Sequence, residues 1–388
     1  MAEKNLDWGN IGFAYRVTDQ RYVSNYKNGA WDEGGLTADA TVCISECAGI
    51  LQYCQEVFEG LKAYRTEDGS IVTFRPDMNA KRMADSARYL EMPAFPEERF
   101  LEAVDMVVKA NADWVPPYGS GASLYLRPYM FASGPVIGVK PSDEYQFRLF
   151  ATPVGPYFKG GAKPTTLCVS KYDRAAPHGT GHIKAGLNYA MSLHAYVDAH
   201  AHGFDENMYL DAATRTYIEE TGGANFLFVT KDGVLVSPKS DSILPSITRR
   251  SLLYIAEHML GMKTEHRPVK FSELKGFAEA GLCGTAAGTL DVVLTRLEFL
   301  GGDDGNVHPG GGETNHVGVR HVVTAIPQVH RFFAFQARRP LFWAKVFHAG
   351  LQVGEELAGV ECIRQGVDDG HGGRFRHISE IFLREGTP

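Results

Sequence analysis

The chain has 388 residues, of which 44% are hydrophobic and 22% charged, with a formal net charge of −7. This excludes a disordered chain, a disulfide-stapled mini-protein and a collagen-like fibre, and the acidic balance argues against a nucleic-acid surface or a polybasic membrane anchor. The length predicts two domains, and no apolar run approaches the ~18 residues of a membrane span.

The six cysteines, Cys43, Cys47, Cys54, Cys168, Cys283 and Cys362, include no Cys-x-x-Cys pair. They fit neither a zinc knuckle nor a disulfide framework, so a reducing, cytoplasmic setting is expected. The first eight residues are polar and carry no signal-peptide core.

In chain order, residues 70–75 read as a strand. Asp77 then reads as an N-cap, with Met78, Met83, Ala87 and Leu90 on one helical face. Phe100, Leu101, Val104, Val107 and Val108 mark a second helix. Residues 122–127 alternate, which puts Ser123, Tyr125 and Arg127 on one strand face. Residues 145–151 read as a further strand. Residues 153–164 are dense in Gly and Pro and read as a connection between domains. Strands follow at 166–170, 206–211 and 225–230, and helices at 186–202 and 246–260. The mixture predicts an α/β or mixed α+β fold without a regular βαβ repeat.

Four segments carry chemistry. Lys184 lies in a glycine-rich turn beside Ile183, Ala185 and Leu187. A lysine on a tight turn beside an apolar wall can form a Schiff base with an aldehyde. Glu219 and Glu220 precede a Gly-Gly turn that leads into a strand. Pro245 and Ser246 open a helix whose first amides, with the Thr248 hydroxyl, suit an anion. Cys283 to Ala287 is a small-residue loop with a hydroxyl at Thr285. Taken singly, each has an ordinary reading: a solvated lysine, a charged strand end, a capped helix and a turn. Taken together, they outline a site for pyridoxal 5'-phosphate, with an amine for its aldehyde, an acid for its ring nitrogen and two amide-rich turns for its phosphate. His194, Asp198, His200 and His202 cluster near a helix end, where solvation is the favoured reading, and no metal is expected.

With these segments, residues 53–64, 74–83, 123–128 and 155–161 give a collinear set over roughly residues 7–287. On that set the chain resembles the branched-chain amino-acid aminotransferases, pyridoxal-phosphate enzymes of fold type IV. The resemblance implies that Lys184 is the Schiff-base lysine and that Tyr189 contacts the cofactor's phenolic oxygen. It implies that Glu220 faces the pyridine nitrogen, with Glu219 as its outward neighbour. Arg82, Ile247, Thr248 and Thr285 would hold the phosphate. Phe58, Tyr125 and Tyr157 would line the side-chain pocket, with Ala286 beside the substrate. Tyr53 would approach the substrate carboxylate across a dimer interface, and Arg127 would recognise the distal carboxylate of glutamate.

The implied fold has a small N-terminal domain (1–155), an interdomain loop (156–164), a large cofactor domain (165–287) and an atypical tail (288–388). The implied reaction is reversible amino transfer from L-leucine, L-isoleucine or L-valine to 2-oxoglutarate by a homodimer. Its partners are amino acids and 2-oxo acids, not nucleic acid or membrane. Alternatives are D-amino-acid transamination, aminodeoxychorismate cleavage, or a non-catalytic relic. The last arises because the tail departs from the family: it has no tyrosine, a single lysine (Lys345) and clustered glycines. The tail is expected to pack less well than the rest and to supply no catalytic side chain.

Overall fold

The computed structural model describes residues 4, 6–155, 166–285, 296–300, 318–322 and 375–377. They divide into two compact units. The first takes its residues from Met1–Lys159, Ile183–Leu187 and Gly359–Pro388, and the second from Gly160–His182 and Asn188–Ala358. The expected interdomain loop and most of the tail lie outside the described residues.

The first unit is built on one sheet. Its strands are β1 (Arg21–Lys27), β2 (Ala30–Trp31), β3 (Gly35–Thr37), β4 (Glu56–Phe58), β5 (Leu61–Arg65) and β6 (Ile71–Thr73). Two ten-residue strands, β7 (Ser123–Ala132) and β8 (Tyr145–Val154), pair antiparallel along their whole length and form its spine. β1 continues from β8, while β4 and β5 both pair with β7. β7 runs beyond the expected end at Arg127 and through Pro128. There the neighbouring chain breaks at Glu59 and Gly60, and Glu59 N–H donates to the Pro128 carbonyl at 2.7 Å. The register asks Pro128 for an acceptor and not for the donor it lacks.

Helices α1 (Gly49–Tyr53), α2 (Pro76–Tyr89) and α3 (Glu97–Ala110) complete this unit. α2 starts from Arg75 in the left-handed region, and Pro76 supplies the fixed φ of a first helical residue. Asp77 therefore sits inside the first turn, where its charge meets the helix dipole, and does not cap the helix as expected. Ala80, Met83, Ala84 and Ala87 are buried at helical spacing, and so are Phe100, Val104, Val107 and Val108 of α3. Ile183 and Ala185 belong to the same apolar core.

The second unit holds α4 from its third residue on; the whole helix spans Gly186–Ala201. It also holds β9 (Leu167–Val169), β10 (Glu206–Met208), β11 (Asn225–Thr230), β12 (Leu235–Pro238), α5 (Ile247–Tyr254), β13 (Thr264–Arg267) and β14 (Phe277–Cys283). One sheet has the order β13-β12-β11-β14. The rings of Phe226, Phe228 and Phe277 stack in its core at centroid spacings of 5.6 and 4.8 Å. Another sheet joins β10 and β9 to β16 (Gly318–Val322) and β15 (Arg296–Leu300). β17 (Phe375–His377) pairs parallel with β6 in the first unit. The helix expected over 246–260 is α-helical to Tyr254 and widens into a π-type turn at Ile255–Met259.

Candidate active site

In the first unit the lysine turn is tied down by its backbone. The Lys184 amide donates to Ser86 Oγ at 3.1 Å, and its carbonyl accepts from the Phe58 amide at 3.1 Å. Buried Ile183 and Ala185 anchor the turn on either side. The half-buried Lys184 side chain places Nζ 4.6 Å from the centroid of the Phe58 ring. The Arg127 guanidinium lies 4.9 Å from that centroid and 5.3 Å from that of Tyr125. Arg127 Nη2 also donates to the Tyr125 hydroxyl at 3.1 Å. Lys184, Phe58, Tyr125 and Arg127 are thus brought together. A Cβ at Gly60 would collide with the Tyr125 hydroxyl, so a glycine there lets the ring lie against the backbone.

Arg82 comes off α2 and forks onto Glu59. Nε meets Oε1 and Nη2 meets Oε2, each at 2.7 Å, with Glu59 fully buried. Asn79 Nδ2 donates to the same Oε2 at 2.7 Å. This bidentate contact fixes the guanidinium plane. Tyr53, at the end of α1, is exposed and donates its hydroxyl to the Ile137 carbonyl.

In the second unit Glu220 is 4% exposed. Its Oε1 takes a 2.8 Å ion pair from Arg174 Nη2 and a 3.0 Å hydrogen bond from the Leu244 amide. Asn225 Nδ2 donates to Oε2. Burial pushes the Glu220 carboxyl above the usual carboxylate range, and the Arg174 charge opposes that shift. Glu219 has a separate partner, with Ser240 Oγ donating to its Oε1 at 2.7 Å. It is buried as deeply as Glu220, not outward as expected. Burial raises its carboxyl pKa too.

Helix α5 begins as the sequence suggests, with Ser246 Oγ accepting from the Arg249 amide at 3.1 Å. The first-turn amides of Ile247 and Thr248 have no intrahelical acceptor by construction. Both residues are buried. Thr285 follows β14 and is half-buried, and Tyr189 is half-buried on α4. Tyr157 and Ala286 lie outside the described residues.

His194 hydrogen-bonds Tyr172 at 3.0 Å, and Asp198 pairs with Lys171 at 3.3 Å. Among the described residues no group of three or more His, Cys, Asp or Glu could hold a metal.

Sequence reasoning missed Glu56, Glu59, Asn79 and Ser86 around Arg82 and Lys184, and Arg174 and Arg249 around Glu220. Glu59 was in plain view as the acid of Phe58-Glu-Gly60, and Arg174 as the arginine directly before Ala175-Ala-Pro177.

Residues 56–294 match the amino-transferase class IV family. The chain is 52% identical over 289 residues to the branched-chain-amino-acid aminotransferase of Haemophilus influenzae, covering 73% of this chain and 84% of that protein. The Escherichia coli branched-chain amino acid aminotransferase structure superposes with a TM-score of 0.60 at 28% identity, covering 71% of this chain and 85% of that one. The branched-chain amino acid aminotransferase from Thermobaculum terrenum, in its PLP-bound holo form, superposes with a TM-score of 0.58 at 25% identity, covering 72% of this chain and 85% of that one.

Proposed function

Because the chain belongs to the branched-chain amino-acid aminotransferases, pyridoxal-phosphate enzymes of fold type IV, we propose that it exchanges amino groups between L-leucine, L-isoleucine or L-valine and 2-oxoglutarate. The products are branched 2-oxo acids and L-glutamate. The observation that carries this reading is the Phe58 ring, which the Lys184 amine and the Arg127 guanidinium share. An aromatic wall accepts an aliphatic side chain, and a guanidinium beside it accepts the distal carboxylate of glutamate. The two substrates need both.

The donor set fits pyridoxal phosphate. A carboxylate has about four lone-pair sites. Oε1 of Glu220 takes two donors and Oε2 takes one, which leaves Oε2 capacity for a further N–H donor. In the second unit the amides of Ile247 and Thr248, with Thr285, would supply neutral donors for a phosphate, and in the first unit Arg82 would supply a cationic one. Tyr189 supplies a hydroxyl for the phenolic oxygen.

When bound, the cofactor supplies an aldehyde for the amino group and a ring that accepts an electron pair from the substrate Cα. Lys184 Nζ would provide the amine that holds the cofactor and would serve as the base that moves a proton at the substrate Cα. Glu220 would face the ring nitrogen and favour its protonated form. The Arg174 charge opposes the burial that disfavours the Glu220 carboxylate. Phe58 and Tyr125 exclude water from the aliphatic side chain. A wall of this kind separates one methylene by only ~1–3 kcal/mol, so leucine, isoleucine and valine should overlap as substrates.

We place Tyr53 at the substrate carboxylate of a neighbouring protomer, Tyr157 and Ala286 at the pocket, and the enzyme as a cytoplasmic homodimer. The test is amino transfer from a panel of L- and D-amino acids to 2-oxoglutarate, with size-exclusion mass measured on the same sample. Turnover of the three branched L-amino acids by a dimer is the expected result. Activity confined to D-amino acids, or none in protein loaded with the cofactor, would overturn the reading.

A further inference from the structure

Glu56 opens β4 two residues before Phe58, and none of the roles above uses it. Its carboxylate is set against the start of α4. The Gly186 amide donates to it, and a Cβ at Gly186 would stand 2.8 Å from both oxygens, so any larger residue there would push the carboxylate aside. Two cations act on that carboxylate, Arg127 from β7 and Lys184 from the turn ahead of α4. From α2, Arg82 is already committed to Glu59. Burial raises the carboxyl pKa, and the amide and the two cations oppose the rise.

Two atoms here are sealed from solvent and lack a hydrogen-bond partner among the described residues: the acceptor Glu56 Oε2 and the donor Arg127 Nε. An unmatched buried donor on the guanidinium is a place for a ligand oxygen. Glu56 acts on that guanidinium through space, with no ion pair or hydrogen bond to it among the described residues.

We propose that Glu56 is a positioning residue that sets the pocket's balance between a carboxylate and an aliphatic side chain, as the resident counter-charge to Arg127. The inference rests on the reading that glutamate and 2-oxoglutarate are the second substrate pair. With an aliphatic side chain on the Phe58 ring, Glu56 offsets the Arg127 charge and spares it an uncompensated burial. A distal carboxylate on that guanidinium is repelled through space by the like charge of Glu56. Glu56 therefore weakens dicarboxylate binding and leaves aliphatic binding intact.

The test is calorimetric binding to the cofactor-loaded full chain. Glutarate serves as the dicarboxylate probe and 4-methylvaleric acid as the leucine-shaped monocarboxylate. Glu56→Gln should raise the affinity ratio of glutarate to 4-methylvaleric acid by roughly tenfold, the scale of one unscreened neighbouring charge. Glu56→Asp, which keeps the charge, should stay within about twofold of wild type. In kinetics, Glu56→Gln should lower KM for glutamate while KM for leucine holds. Equal changes for both acids, or no change, would overturn the proposal. If Glu56→Gln does not fold, Gly186→Ala displaces the same carboxylate, and an unchanged ratio there is equally fatal. A wild-type enzyme that binds 4-methylvaleric acid but not glutarate would instead remove the dicarboxylate reading, and the inference with it.

Discussion

Arg174 Nη2 stands 2.8 Å from Glu220 Oε1, with side chains only 7% and 5% exposed. The same guanidinium donates to the carbonyls of Gly181 and Ser242, so one arginine anchors the acid and two loops. Removing it leaves a buried carboxylate without its cation. Arg174→Met should cost about 3–5 kcal/mol in urea denaturation, the usual loss when one partner of a buried pair is deleted. Pairing it with Glu220→Gln should recover part of that loss, because the double variant has no orphaned charge. A single-variant cost under about 1 kcal/mol would show that the pair is not a structural tie.

Much of this was legible in the sequence where the signal is local. α2 and α3 bury apolar residues at helical spacing, and Ser246 caps α5 three residues before the amide it accepts from. Lys184 and Glu220 stood out as an amine in a glycine turn and an acid before one. The partners that orient them did not stand out. The Lys184 amide bonds Ser86, 98 residues away, and no periodicity reports a contact of that span. Arg174 reaches Glu220 only through the tertiary fold. β4 and β5 were missed because Glu59 and Gly60 interrupt the alternation between two short strands. The same interruption makes room for Pro128 in β7 and gives Arg82 its acid. A local irregularity in pattern thus coincides with the buried acid that orients Arg82.

Lys184 should be the single amine that carries the cofactor. Borohydride treatment of the loaded enzyme, followed by peptide mass spectrometry, should place the reduced pyridoxyl group on Lys184 and on no other lysine. Lys184→Ala should lose about 10⁴-fold or more in turnover, since attachment and proton movement at the substrate Cα fail together. Full turnover in Lys184→Ala would remove the assignment.

The two adjacent acids should separate cleanly. Glu220→Gln loses the negative charge and one acceptor oxygen, so proton removal from the substrate Cα should slow by roughly 10²–10³-fold in single-turnover measurements while the cofactor stays bound. Glu219→Gln loses only a charged acceptor for Ser240 and should lower stability with little effect on that step. The reverse pattern would mean that Glu219 holds the ring nitrogen.

Glu279 offers a pH test away from the site. It lies on β14 with Oε2 buried and unpaired among the described residues, and burial raises its carboxyl pKa above the ordinary 4.5. The folded chain then holds this proton more tightly than the unfolded one. As pH rises through 4.5, the unfolded state ionises first and stability is lost. The loss grows until the raised native pKa is passed and is constant above it. Glutamine at this position has no proton to lose. Glu279→Gln should therefore match wild type well below pH 4.5 and gain progressively above it, levelling off towards neutral pH. The side chain is only half-buried, so the gain should be small, about 1–3 °C in Tm. Melting curves of both proteins across that range give the difference directly. A glutamine variant that is less stable at neutral pH than in acid, relative to wild type, would show that Glu279 is held by a partner that stabilises its charge.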